Sequence, residues 1–254
     1  MSEEVMRFPF PPIIEAVVDI DCDLPPNFNL TEIEASANAT FQAEYPQSKK
    51  RFVEQHLFVP RGEEPATHTT TRGIQALQFQ RQDNAQLVQL RSTGYSFNRL
   101  KPYSTLDDYL PEIEKTWMQY VKIASPIQIR AVKLRYINRI LIPLIDGKLD
   151  LDEFLTVGPQ LPDESNLTFV GFLNQYAAVE ASTKAKANVV LTIQPSEGEK
   201  LPLIFDIGVE QEGVGAVEDW PWVRDKILSL RGLKNRIFKN TLTNQCRNLF
   251  QNGA

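Results

Sequence analysis

The chain holds two histidines, two cysteines and three methionines in 254 residues. This scarcity removes several chemistries at once. With only His56, on an expected strand, and His68, in a polar threonine-rich loop, neither a histidine zinc site nor a Ser/His/Asp triad is supplied with its residues. Cys22 and Cys246 form no CxxC pair and fall in regular segments, where they read as small hydrophobes rather than nucleophiles. No GxxxxGK[ST] loop is present, and GVGAVEDW lacks dinucleotide-binding spacing, so phosphate cradling by a glycine loop is unsupported. No apolar run approaches the roughly 18 residues that a membrane helix needs. MSEEVMRFPFPP has no apolar core of a secretory leader before its prolines, and the expectation is a reducing, cytoplasmic setting. A net charge of -5 and a pI near 5.3 argue against a globally basic nucleic-acid footprint.

What is present is an ordinary globular balance, 42% apolar and 23% charged, enough for one domain or two small ones. From Ile14 the even positions are Ile14, Ala16, Val18, Ile20, Cys22 and Leu24, while Glu15, Asp19, Asp21 and Asp23 occupy odd ones. Period two predicts a strand buried on one face with its acids on the other. Asn29 or Thr31 caps a short helix carrying Ile33, Ala37 and Phe41. RFVEQHLFVP, GIQALQFQRQ and AQLVQLRSTGYSFNRL then read as three antiparallel strands, the last two joined at Asp83 and Asn84, with RGEEPATHTTTR a loop. Ser104 caps a helix with Asp107 at capping-box distance, its stripe running through Leu106, Leu110, Ile113, Trp117 and Tyr120.

After Pro126 the order begins again. IQIRAVKLRYINRILIP is a long strand, DGKLDLDEFL a short helix, and FVGFLNQYAAVEAS, ANVVLTIQ and PLIFDIGVEQ are three more strands. DWPWVRDKILSLRGLKNRIFKN closes as a helix capped by Asp219, with Val223, Ile227, Leu230, Lys234 and Ile237 on one side, and a last turn or two follows Thr241. Both halves therefore read strand, helix, three strands, helix. The expected fold is α+β, with antiparallel sheet carrying helices on one face, and two similar halves, 1–125 and 126–254, packed as one compact unit.

Two strand faces carry charge. Side chains two apart on a strand stand roughly 6.5 to 7 Å apart, so Asp19 and Asp21 share a divalent ion only with help from a neighbouring strand. In KLRYINRI, Lys133, Arg135 and Arg139 share a face with Ile137, and Leu134, Tyr136, Asn138 and Ile140 share the other. Two readings follow. In one, this strand neighbours the acidic one and the charges pair across the sheet; in the other, the arginines hold an anion. A triphosphate tunnel is a distant third, because EAVVDID lacks the ExExK spacing and its lysine. YSFNRLKPY and LKNRIFKN place aromatics beside Arg99 and Lys101, and Lys234, Arg236 and Lys239 on a helix, patches read as solvated rims in an acidic protein.

PPIIEAVVDI, YSFNRLKPY, the helix end from Trp117 to Tyr120, LRYINRILIP and LKNRIFKNTLT together resemble, over nearly the whole chain, a bacterial family described as sporadically distributed and of unknown function. The resemblance implies accessory, mobile or defence-linked genes and transfers no catalytic residue. It implies that Glu15 is matched in the family while Arg stands where this chain has Asp21, which makes the DIDCD run peculiar to this chain. It directs attention to Glu15, Asn98, Arg99, Arg135, Asn138 and Arg139 as candidate binding residues. The expected function is a non-catalytic binding component of an accessory or defence-type system, needing no cofactor or metal. Its partner is a cognate protein or a small anionic ligand against the Arg135 and Arg139 strand; nucleic acid and membrane are not the expected partners, and exposed sheet edges allow a homodimer. The alternative is a metal-dependent enzyme acting on a phosphorylated or nucleotide substrate. If Glu15, Arg135 and Arg139 converge in a pocket away from the subunit surface, ligand or enzyme gains; if they pair with each other on a flat sheet, a partner-binding scaffold gains.

Overall fold

The computed structural model describes residues 7–61, 64–144, 149–160, 162, 167 and 169–252, with side chains at 55–61, 64–69, 71 and 252 outside the description. The first strand, β1 (Ile13–Asp23), buries Ala16, Val18, Ile20 and Cys22 and leaves the acids on its other face, as the alternation predicts. Helix α1 (Leu30–Phe41) starts where the side chain of Asn29 accepts from the Thr31 backbone N–H at 2.9 Å. Four strands follow: β2 (Gln47–Arg61), β3 (Glu64–Gln80), β4 (Gln86–Arg91) and β5 (Gly94–Leu100). Helix α2 (Leu106–Ala124) leads to β6 (Gln128–Pro143), β7 (Leu173–Val179), β8 (Lys186–Ile193) and β9 (Lys200–Gly215), and α3 (Trp220–Thr241) and α4 (Asn244–Asn252) close the chain.

The strands form one nine-stranded sheet in the order β2-β3-β4-β5-β1-β6-β9-β8-β7, antiparallel throughout. Its centre is the β1–β6 pair, where Asp19 stands opposite Lys133. Outward from that pair each half's first strand pairs with its last, β5 or β9, and the intervening strands step to the edge, three on the first side (β4, β3, β2) and two on the other (β8, β7).

The helices cover one face. Phe41 of α1 stacks on Phe79 of β3, Trp117 of α2 meets Tyr95 of β5 edge-on, and Phe238 of α3 stacks on Phe205 of β9. Trp117, fully buried, donates its indole N–H to the Val217 carbonyl at 3.0 Å and ties α2 to the segment before α3. Fully burying an aromatic side chain of this size stabilises by about 1.5–3 kcal/mol.

Several expectations need correction. AQLVQLRSTGYSFNRL is two strands, because the chain turns at Ser92 and Thr93 and returns through Gly94. Gly94 has φ of 143°, and a Cβ there would lie 2.1 Å from the Ile20 carbonyl oxygen, so no larger residue fits. RGEEPATHTTTR is not a loop from Glu64 on: β3 takes it up and pairs it with β2, Thr70 opposite His56, in keeping with the strand preference of β-branched threonine. Where DGKLDLDEFL is expected to be helical, residues 145–148 lie outside the description, and Leu151, Phe154 and Leu155 form a buried turn with Leu155 bridged to Leu242. The α2 cap is Thr105, one residue beyond Ser104, with its backbone N–H donated to Asp108 Oδ2 at 2.8 Å. Lys234 is buried at 8% exposure, so it is part of the packed side of α3 and not of a solvated rim.

Candidate functional site

The face of the sheet opposite the helices is open and largely polar, with Val17, Leu87 and Ile137 interspersed among its charged and amide side chains. Period two brings Glu15, Asp19 and Asp21 of β1 together with Ser96 and Asn98 of β5, Gln89 and Arg91 of β4, Gln78 of β3, and Lys133, Arg135, Ile137 and Arg139 of β6. Two shallow depressions mark it. One of about 510 Å³ lies over β1, β3, β4 and β5 and reaches Arg51 of β2 and Arg135 and Ile137 of β6, and one of about 570 Å³ runs from Lys133 and Arg135 toward β7 across Asn188 and Gly208; Arg135 borders both.

A ladder of amides crosses the first depression. Gln78 Nε2 donates to Gln89 Oε1 at 2.8 Å, Gln89 Nε2 to Asn98 Oδ1 at 2.8 Å, and Asn98 Nδ2 to Glu15 Oε1 at 2.6 Å. All three bonds point the same way and end on a carboxylate, an arrangement in which each bond polarises the next. It satisfies Gln89 and Asn98, which are almost fully buried although they face the open side.

Next to the ladder lies an ion network. Arg91 Nη2 binds Asp21 Oδ1 at 2.7 Å and approaches Asp19 Oδ1 at 3.6 Å; Lys133 Nζ reaches Asp21 Oδ2 at 3.0 Å and Glu210 at 3.3 Å. Burial alone would raise the Asp21 carboxyl, yet the hydrogen bonds and charges of Arg91 and Lys133 hold it below its ordinary value. The same partners act on Lys133, whose burial pulls it down while Asp21 and Glu210 raise it above the usual lysine value. Asp19 accepts from Ser96, and Asp23 is taken by Arg130 at 3.1 Å and Gln128 at 2.6 Å. No group of three or more His, Cys, Asp or Glu among the described residues is arranged to hold a metal ion.

The six candidate residues divide between the two faces. Glu15, Asn98, Arg135 and Arg139 are on the open face; Arg99 and Asn138, each one residue from a partner in sequence, are carried by the same alternation to the helix side. Arg135 forks onto Asp206 of β9, Nε donating to Oδ1 at 2.9 Å and Nη2 to Oδ2, and that contact raises its pKa further. Arg139 binds Gln194 and Glu197. Glu15 and Arg135 both line the first depression while Arg139 does not, and the three neither converge in an enclosed pocket nor pair with each other, each engaging a different neighbour. Arg99 donates to the Pro102 carbonyl at 2.9 Å. Asn138, 1% exposed, donates Nδ2 to the Phe205 carbonyl at 2.8 Å, while its Oδ1 has no hydrogen-bond partner among the described residues. A buried acceptor in that condition costs about 1–3 kcal/mol.

Sequence reasoning missed Gln78, Gln89, Arg91, Asp206 and Glu210. The signal for the glutamines was available, since they occupy the polar positions of GIQALQFQ and AQLVQLR, but which strands lie side by side was not. His56 and His68 have side chains outside the described residues. Among the described residues no helix is long and apolar enough to cross a membrane. No family model matches the chain, and no curated protein or solved structure matches it.

Proposed function

We propose that this protein is a non-catalytic binding component of an accessory or defence-type system, and that its open sheet face receives a cognate protein. The observation that carries this reading is the disposition of the charges: they are satisfied sideways along an uncovered sheet instead of converging on one reactive point. A nine-stranded sheet with strands about 4.8 Å apart presents a face roughly 38 Å wide, a span suited to a protein surface. Small residues help. Ala177 of β7, Asn188 of β8 and Gly208 of β9 line the second depression beside Arg135 and leave room for an approaching backbone or side chain.

The alternative of a metal-dependent enzyme loses its main support, because Asp21, the most enclosed of the acids, is already held by two cations. A homodimer is a separate element of the proposal: β7 is an edge strand with Leu173 69% and Val179 62% exposed, and a second copy can pair along it.

The test is cross-linking mass spectrometry on the protein isolated with its partner from the native host. Cross-links from Lys133 and Lys186, which lie on the open face, are expected. Cross-links confined to Lys122 and Lys226, on the outer helices, would overturn the reading.

A further inference from the structure

The sheet ends in two edge strands, and they are built differently. β2 carries Lys49, Lys50, Arg51 and Glu54, shifts register against β3 between Arg51 and Phe52, and includes Pro60 in its sequence. Charges, bulges and prolines of this kind keep another chain from adding to an edge. β7, LNQYAAV, has neither charge nor proline and pairs with β8 in unbroken register. Among the described residues it is the one strand of the nine without a charged side chain. An edge left without these devices is an edge that another strand can cover.

The backbone of β7 restricts what that strand is. The Glu180 N–H donates to the Ala185 carbonyl at 2.8 Å, and this pair continues the register in which Ala178 stands opposite Ala187. Hydrogen-bonded pairs recur at every second residue of an antiparallel ladder, so Asn174, Tyr176 and Ala178 use their backbone groups on β8. Leu173, Gln175, Ala177 and Val179 therefore turn N–H and C=O outward, and their side chains share the open face.

An antiparallel copy must set outward groups against outward groups. With a two-fold axis at Tyr176, Gln175 meets Ala177 of the partner subunit and Leu173 meets Val179 of the partner subunit, so every outward group of the strand is used. Moving the axis to Gln175 or to Ala177 leaves Val179 or Leu173 outside the paired strand. The Tyr176 register also matches side chains: the exposed Leu173 and Val179 become cross-strand neighbours on one face, and no charge opposes another within the strand.

We propose that this protein is a two-fold dimer through β7, paired antiparallel about Tyr176, in which Leu173 of the partner subunit walls the second depression beside Val179. That depression reaches Ala177 and Val179 and ends at the sheet edge in a single chain; in the dimer the two sheets run on as one. The proposal rests on the homodimer element stated above, fixes its register, and does not involve the cognate protein.

Sedimentation velocity of the full chain at micromolar concentration is expected to give twice the 28.9 kDa chain mass. Ala177→Pro removes an outward N–H and spares the β8 ladder, the setting in which strands tolerate proline. Val179→Lys sets a charge against Leu173 of the partner subunit. Both are expected to sediment as monomers with native circular dichroism, and if one does not fold the other decides. Under mild oxidation Tyr176→Cys is expected to link to its own copy, because the Cα atoms of a non-hydrogen-bonded pair lie about 4.5 Å apart, within disulfide reach. Gln175→Cys alone is not expected to link, whereas Gln175→Cys mixed with Ala177→Cys is, which keeps the register testable if Tyr176→Cys does not fold. Cys22 and Cys246 are buried and do not compete. A monomeric wild type, a dimer retained by a folded Ala177→Pro or Val179→Lys variant, or linkage of Gln175→Cys to itself in preference to these pairs would each overturn the proposal. Loss of the dimer leaves the open-face reading standing, and a chain without a cognate protein leaves the dimer standing.

Discussion

Asn98 donates its side-chain N–H to Glu15 at 2.6 Å, and this bond is the last step of a chain of amides that begins three strands away at Gln78. It joins the first half's hairpins to β1, the strand on which the second half is laid. Asn98→Leu breaks the chain in the middle and leaves Gln89 without its acceptor and Glu15 without its donor. We expect a loss of about 1–3 kcal/mol in urea unfolding. Glu15→Gln, which retains an acceptor for Asn98, is expected to cost less than Asn98→Leu.

Acid is expected to weaken the centre of the sheet through Asp21. Its pKa is held below the ordinary 3.8 in the folded chain, so its contribution is present above that value and is lost as pH falls through the lower folded value. The stability difference between the wild type and Asp21→Asn should be constant from pH 7 to about 5 and shrink progressively below pH 4. Equilibrium unfolding at pH 7, 5, 4 and 3 measures it.

Gly94→Ala is expected to be destabilising by more than a surface alanine. It must hold φ of 143° and place a Cβ 2.1 Å from the Ile20 carbonyl oxygen, so the β5–β1 pairing has to open. Backbone strain of this kind costs about 1–3 kcal/mol before any displacement is counted. A folded variant with unchanged midpoint in denaturant would contradict the register described for β1 and β5.

Cys22 and Cys246 are both buried, and burial pushes each thiol up to about 12. Neither should react with an aromatic disulfide reagent at pH 8 in the folded protein, and both should react once guanidinium unfolds it. Fast labelling of either in the native state would contradict the packing of β1 or of α4.

The strands and helices that position the open face were legible where one face is apolar and the other polar, as in β1, α2 and β6. Legibility failed where local chemistry is neutral between states: the Thr-rich stretch entering β3 reads as loop until β2 pairs with it, and DGKLDLDEFL has a helical pattern that the packing of Leu151, Phe154 and Leu155 overrides. The division of the site was also available from parity alone, because Asn98 with Arg99, and Asn138 with Arg139, are neighbours on strands and must face opposite ways. The neighbourhood of the acidic and basic strands was anticipated and β1 does pair with β6. Partner identity was not: Arg135 takes Asp206 from β9, 71 positions further along the chain, which no local pattern connects to it.

The central claim is that the open face binds a protein. Arg135 is half-exposed and its bridge to Asp206 is worth no more than about 1 kcal/mol, and Ile137 stands in register between Glu15 and Asp206, so Arg135→Ala combined with Ile137→Lys should recast that face at small cost in stability. Native mass spectrometry of the wild type and this variant, each purified from the native host, is the most direct measurement. The account predicts a stoichiometric protein complex for the wild type and the uncomplexed chain for the folded variant. A wild type that carries no protein, or a complex retained equally by both, would contradict it.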